Sequence, residues 1–253
     1  MKETEAARRR MFFEVHSDLP REGPGNREST ARALRLASPL PRDPLIVDVG
    51  CGPGAQTLDL AALVPDARIV AFDAHPPFLD ELRHRAAAAG VADRIDVRRA
   101  DMRALPCAPH SIDLLWCEGA AYVLGIPEAL RLWKPLLKPG GRVALTEPVW
   151  LTEDAPPDSV LKNWESYPAM TSVDANRTII ERAGLKLLGD FTLPEAAWWD
   201  DYYGPLEARA KALSRKYAGD PIAGGVLKDV YAELAAYRNH SSCFGYQFFV
   251  MSN

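Results

Sequence analysis

Ile46-Val47-Asp48-Val49-Gly50-Cys51-Gly52-Pro53-Gly54 reads as an apolar strand that carries an acid near its end and then breaks into three glycines at alternate positions. Such a turn leaves bare backbone where something flat and polar can lie close, and glycine, lacking Cβ, reaches positive φ there without strain. The next segment, Gln56 to Leu63, sets Leu58, Ala61 and Ala62 at helical spacing, so the turn opens a helix. Strand, glycine turn and helix in this order make a nucleotide-binding unit.

Outward from the turn, Ala67-Arg68-Ile69-Val70-Ala71-Phe72-Asp73 is a second strand that also ends in an acid. A carboxylate there can accept hydrogen bonds from both hydroxyls of a ribose. Two nucleotide classes share these features. Gly50, Gly52 and Ala55 satisfy the G-x-G-x-x-G/A spacing of dinucleotide enzymes, so an NAD(P)-dependent oxidoreductase is weighed. No Tyr-x-x-x-Lys or comparable hydride-transfer group accompanies it.

The alternation continues along the chain. Pro76 to Ala89 carries Phe78, Leu79, Leu82 and Ala86 on one face and stops at Gly90. Strands follow at Ile95–Arg99, Ser111–Cys117 and Arg142–Glu147, then a helix near Ser172–Ala183, a strand near Leu185–Leu188 and a last strand at Phe244–Val250. Strands alternating with helices predict an α/β fold, a doubly wound parallel sheet covered on both faces. Gly204 to His240 reads as two helices, each with proline at its start, placed between the last two strands as a cap or a flanking pair. Near the amino terminus a second Gly-Pro-Gly, Gly23-Pro24-Gly25, precedes a helix capped by Asn26.

With 253 residues, 47% of them hydrophobic and 25% charged, the chain suits one globular domain with room for an insertion. A net charge of −4 with scattered basic residues argues against nucleic acid as a partner, and Arg8-Arg9-Arg10 reads as a solvated run on a frayed terminus. Cys51, Cys107, Cys117 and Cys243 are widely spaced, without C-x-x-C pairs, and imply reduced thiols and no metal. No apolar run reaches a membrane span and no signal-peptide core opens the chain, so the expected location is the cytoplasm.

Taken together the motifs resemble the class I S-adenosylmethionine-dependent methyltransferases. Their first motif is an acid two residues before G-x-G-x-G, here Asp48, Gly50, Gly52 and Gly54. Asp73 matches the family's ribose acid, and Asp101-Met102 matches its adenine-contacting step. Asp113-Leu114-Leu115-Trp116-Cys117-Glu118-Gly119-Ala120 is similar to the fourth motif, and Leu137-Lys138-Pro139-Gly140-Gly141 to the turn before the fifth strand. Within the family, Leu19-Pro20-Arg21-Glu22-Gly23-Pro24-Gly25 and Glu118-Gly119-Ala120-Ala121-Tyr122-Val123-Leu124-Gly125 resemble a small uncharacterised bacterial branch labelled UbiE-like.

The resemblance implies a seven-stranded Rossmann-like sheet of order 3-2-1-4-5-7-6 with the last strand antiparallel. It implies one methyltransferase domain over 1–253: a helical or lid segment over 1–40, a cofactor-binding core over 41–150, and a substrate half over 151–253 with the helical insertion at about 200–240. It also implies S-adenosyl-L-methionine as cofactor, S-adenosyl-L-homocysteine as product, and a monomer or homodimer. Expected cofactor ligands are Asp48, Gly50, Gly52, Gly54, Asp73, Asp101, Met102, Glu118, Arg21 and Gly23. Glu118, Tyr122 and His16 are candidate catalytic groups.

Glu147, Trp150, Trp164, Tyr167, Trp199, Tyr202 and Tyr203 are candidate acceptor-site residues, because aromatic faces beside carboxylates suit a small amine-bearing molecule. Methyl transfer to an amine nitrogen is the leading expectation. O-methylation of a small molecule and a non-catalytic S-adenosylmethionine-binding module are the alternatives.

Overall fold

The computed structural model describes residues 2–253. Two helices come first, α1 (Lys2–Val15) and α2 (Arg27–Ala37). The alternating part runs β1 (Leu45–Val49), α3 (Ala55–Leu63), β2 (Arg68–Asp73), α4 (Pro76–Ala88), β3 (Ile95–Arg99), β4 (Ile112–Cys117), α5 (Ile126–Trp133) and β5 (Leu137–Trp150). Then follow α6 (Asp158–Asn163), β6 (Thr171–Ser172), α7 (Val173–Arg182), β7 (Lys186–Thr192), α8 (Ala196–Trp198), α9 (Gly204–Lys216), α10 (Pro221–His240) and β8 (Phe244–Ser252). A π-helical turn, Trp199–Tyr203, joins α8 to α9.

The sheet order is β3-β2-β1-β4-β5-β8-β7, with two-residue β6 paired to the far end of β5. β8 runs antiparallel to both neighbours and the remaining pairs are parallel. Without β6 this is the expected order. β4 is buried along its length and β1 nearly so, which is why both read as continuous apolar runs rather than alternating ones. One face of the sheet packs on α1–α4 and α8–α10, the other on α5 and α7.

Three details differ from the sequence reading. Lys138-Pro139-Gly140-Gly141 is not a turn ahead of β5 but its first stretch, with Gly140 at φ +73 and a register shift between Ile112 and Leu114. The sheet gains the short edge strand β6. The arginine run is no frayed end: α1 is a formed helix in which Arg8 pairs with Asp229 of α10 at 2.9 Å and Arg9 lies over the Phe13 ring. The two late helices are as expected, and Asp220 caps α10 by accepting from the N–H groups of Ile222 and Ala223. Among the described residues no helix is long and apolar enough to cross a membrane.

Candidate active site

The site begins where β1 ends. Asp48 is fully buried, accepting from the Thr57 hydroxyl at 2.5 Å and from the Gln56 amide at 3.5 Å. It therefore ties the first turn of α3 to β1 through side chains, not through the amides of the glycine turn. Burial pushes its pKa up to about 7. The turn is pinned to β2 instead: Gly50 and Cys51 N–H donate to the Phe72 carbonyl at 2.8 and 3.0 Å.

Two glycines of the turn serve different needs. Gly54, at φ +91, lies where a Cβ would stand 2.1 Å from Leu82 Cδ1, so it is required for packing α3 against α4. Gly52, at φ +52, would direct a Cβ toward nothing nearer than Glu22 Cγ at 3.7 Å. The space above Gly52 belongs to a cavity of about 630 Å³, a size typical of small-molecule sites. Asp73 ends β2 at the wall of this cavity. It accepts from Gly52 N–H at 3.0 Å and His75 N–H at 2.8 Å, and each oxygen keeps a further lone pair for a ligand. Asp101 and Met102 stand at the rim. Asp101 is exposed and accepts from Arg103 N–H at 2.9 Å, while the Met102 carbonyl is taken by Trp133 Nε1 at 3.0 Å.

Glu118 follows β4 and reaches the same cavity, yet its oxygens are committed. One accepts from Thr30 Oγ1 at 2.9 Å and Trp116 Nε1 at 2.8 Å, the other from the Arg21 guanidinium. Arg21 is itself buried. This knot draws Arg21-Glu22-Gly23 over the glycine turn, so that Arg21, Gly23 and Glu118 all line the cavity beside Gly50 and Gly52.

Aromatic residues enclose the far end. Tyr122, Trp164, Tyr167, Tyr202 and Tyr203 line the cavity there, and His16 lines it from the side of Glu22, which overhangs Gly52. His16 Nδ1 pairs with Glu22 at 3.1 Å, and its ring stacks on Phe12. The remaining sequence candidates lie outside the cavity. Glu147 is buried behind Tyr167, whose hydroxyl donates to it; its second oxygen has no partner, and desolvation raises its pKa to about 8. Trp150 donates to the Met170 carbonyl at 3.1 Å, and Trp199 faces away, under the Arg238 guanidinium.

The sequence reading passed over Glu22, Glu233 and Tyr246, all of which line the cavity. Glu233 had a legible signal. It falls three residues after Val230 and four before Tyr237, a charged residue within the apolar stripe of α10.

These residues fit an S-adenosyl group on structural grounds. Gly52 leaves free the space that a side chain would fill, the Asp73 carboxylate opens on that space, and Asp101-Met102 bound its outer edge. Comparison with known proteins agrees. Residues 46–141 match the family model described as a methyltransferase domain.

Trans-aconitate 2-methyltransferase of Streptomyces avermitilis is 37% identical over 81% of this chain and 76% of its own length. Malonyl-[acyl-carrier protein] O-methyltransferase of Dechloromonas aromatica is 30% identical over 74% and 69%. A probable cobalt-precorrin-6B C(15)-methyltransferase of Methanothermobacter thermautotrophicus is 34% identical over 49% of this chain, which spans only 62% of that relative. Among solved structures, a methyltransferase of Geobacter sulfurreducens in complex with S-adenosyl-L-homocysteine superposes with a TM-score of 0.81, at 20% identity over 96% of this chain and 97% of that one, and so shares the fold. With the ordered motifs, the cradle above Gly52 and these relatives in hand, the chain belongs to the class I S-adenosylmethionine-dependent methyltransferase family.

Proposed function

We propose that this protein methylates the nitrogen of a small amine. The observation that carries the reading is the charge of the cavity wall. Glu22 and Glu233 line it among aromatic rings, while both lining arginines are already paired, Arg21 with Glu118 and Arg103 with Asp101. Desolvation raises the pKa of both glutamates, so each would gain from a cationic partner. A polycarboxylate such as the acceptor in the trans-aconitate relative's name would meet acids there, with no unpaired lysine or arginine among the described lining residues.

When bound, S-adenosylmethionine supplies an already activated methyl group on its sulfonium. Gly50, Gly52, Asp73, Asp101 and Met102 are the residues to hold it. The rest of the task falls to this chain's own side chains: to align the acceptor, to exclude water, and to take the proton that an ammonium loses before attack. Alignment is the larger contribution, worth up to about 7–11 kcal/mol in well-ordered systems. Arg21-Glu22-Gly23 and the rings of Tyr122, Tyr202 and Tyr203 wall the reaction space. His16, paired with Glu22, and Glu233 are groups on that wall able to receive a proton.

The test is a panel of small amines, phenols, carboxylic acids and thiols, assayed for S-adenosylhomocysteine release and for the methylated product. Turnover of amines is expected. Turnover confined to phenols, acids or thiols overturns the reading.

A further inference from the structure

The acceptor end of the cavity holds a carboxylate that no lysine or arginine pairs with among the described residues. Glu233 projects from α10 into the space, where Tyr203 Oη donates to it at 3.0 Å, the Tyr202 hydroxyl also approaches it, and His16 is the one neighbouring group able to carry positive charge. No lysine or arginine lies within ion-pair distance of it among the described residues. Four phenol-bearing rings, Tyr122, Tyr202, Tyr203 and Tyr246, are near enough for its charge to bear on their hydroxyls, and burial raises the pKa of each. Trp198 backs this wall, stacked on Tyr237 at 4.0 Å and 5.4 Å from both Tyr203 and Tyr246. The rings are thus held by packing against one another, not by the ligand.

We infer that Glu233, ringed by Tyr122, Tyr202, Tyr203 and Tyr246, is a binding subsite for a small alkylammonium group. The physical reasons are additive. A desolvated carboxylate held only by neutral phenol hydroxyls, with no lysine or arginine beside it, is costly, and an ammonium relieves that cost. Aromatic faces attract a cation through their quadrupoles and cover its alkyl groups, as cages for quaternary ammonium do. A neutral molecule of the same shape gains only the second, apolar part. Tyr203 acts as a positioning residue, since its hydroxyl fixes the carboxylate rotamer. This inference rests on the amine reading above in that both assign the acceptor to this end of the cavity. It goes further by naming the residue that holds the charge.

The experiment separates the two. Binding of choline and of its uncharged isostere 3,3-dimethyl-1-butanol is measured by calorimetry on the full chain saturated with S-adenosylhomocysteine. The parent should prefer choline by about 10- to 100-fold, the range of one charged contact. Glu233→Gln keeps an acceptor for Tyr203 and should erase that preference, leaving S-adenosylhomocysteine affinity unchanged and the thermal midpoint no lower than the parent's. Should Glu233→Gln fail to fold, the parent's own discrimination still decides.

Equal affinity for choline and its isostere in the parent overturns the subsite, as does an undiminished preference in a folded Glu233→Gln. If the panel shows amine turnover while choline is not preferred, the subsite fails and the amine reading stands. A Glu233-dependent choline preference in an enzyme that turns over only phenols or acids leaves the subsite standing and removes the amine reading.

Discussion

The two ends of the cavity are built on opposite plans. At the glycine turn the wall is bare backbone fixed by its own hydrogen bonds, Gly50 and Cys51 N–H to the Phe72 carbonyl and Gly52 N–H to Asp73, and the side chains around it, Asp73, Glu22 and the Arg21–Glu118 pair, are tied into that frame. At the far end the ligand-facing groups are almost wholly side chains, and they come from α1, the loop after β4, α6 and its sequel, the π-helical turn, α10 and β8. A backbone surface is dictated by φ, ψ and the absence of Cβ, so it tolerates little change and serves a fixed ligand. A side-chain surface on separate helices can be rewritten residue by residue. Donor and acceptor specificity are therefore set by different physics within one cavity.

The sharpest way to break that contrast is at the seam between the halves. Glu118→Ala would leave Arg21 buried without its carboxylate, and the expected loss is about 3–5 kcal/mol in urea denaturation. Glu118→Gln retains an acceptor for Thr30 and Trp116 and should cost less. Equal stability of parent and Glu118→Ala would show that the knot does not hold the halves together.

Next in size is the acid behind the acceptor wall. Glu147 titrates near 8 in the fold against an ordinary 4.5, so the protonated form is favoured by folding. Its contribution is complete below about pH 4.5 and is lost as pH rises through about 8, amounting to roughly 3 kcal/mol by pH 7. Glu147→Gln, which stays neutral, should remove this decline, seen as a flatter plot of unfolding free energy against pH. A parallel plot for the two proteins would show that Glu147 ionises freely in the fold.

On the donor side, Asp73→Ala should weaken S-adenosylhomocysteine by about 1.5–3 kcal/mol in calorimetry, because a charged acceptor is lost while the backbone turn remains. Unchanged affinity would mean that the turn alone carries the donor. The smallest effect concerns closure. Limited proteolysis should show the segment from Arg21 to Gly25 and the α9–α10 junction around Gly219 becoming protected when S-adenosylhomocysteine is added. Identical cleavage would mean that these segments are walls and not lids.

The same contrast explains what could be read before the fold was known. The order of strands, the glycine turn, Asp73 and the Asp101-Met102 step are legible because local geometry imposes them at fixed spacings. Glu118 shows the limit: its position was legible, but its engagement by Arg21 and Thr30 depends on residues roughly ninety to a hundred positions away. Trp198 and Trp199 show it again. Composition cannot tell which of two adjacent tryptophans faces the cavity; a π-helical turn decides that, placing Trp198 inside and Trp199 under Arg238. Glu147 and Trp150 lie in the last stretch of β5 and were expected in the acceptor site, yet they are engaged by Tyr167 and by the Met170 carbonyl. Glu233 was detectable in principle as an acid in an apolar stripe.

Glu14, near the end of α1, accepts from Lys216 Nζ at 2.7 Å and from Tyr217 Oη at 2.8 Å, and Arg8 reaches Asp229. α1 thus leaves the ribosome some two hundred residues ahead of the partners that fix it. The glycine-turn half, whose strand pairs β1–β2, β2–β3 and β1–β4 are complete by Cys117, can assemble while the acceptor wall is still being synthesised. The residues of the donor wall are thus made ahead of most of the acceptor wall, and translation delivers the two in that order.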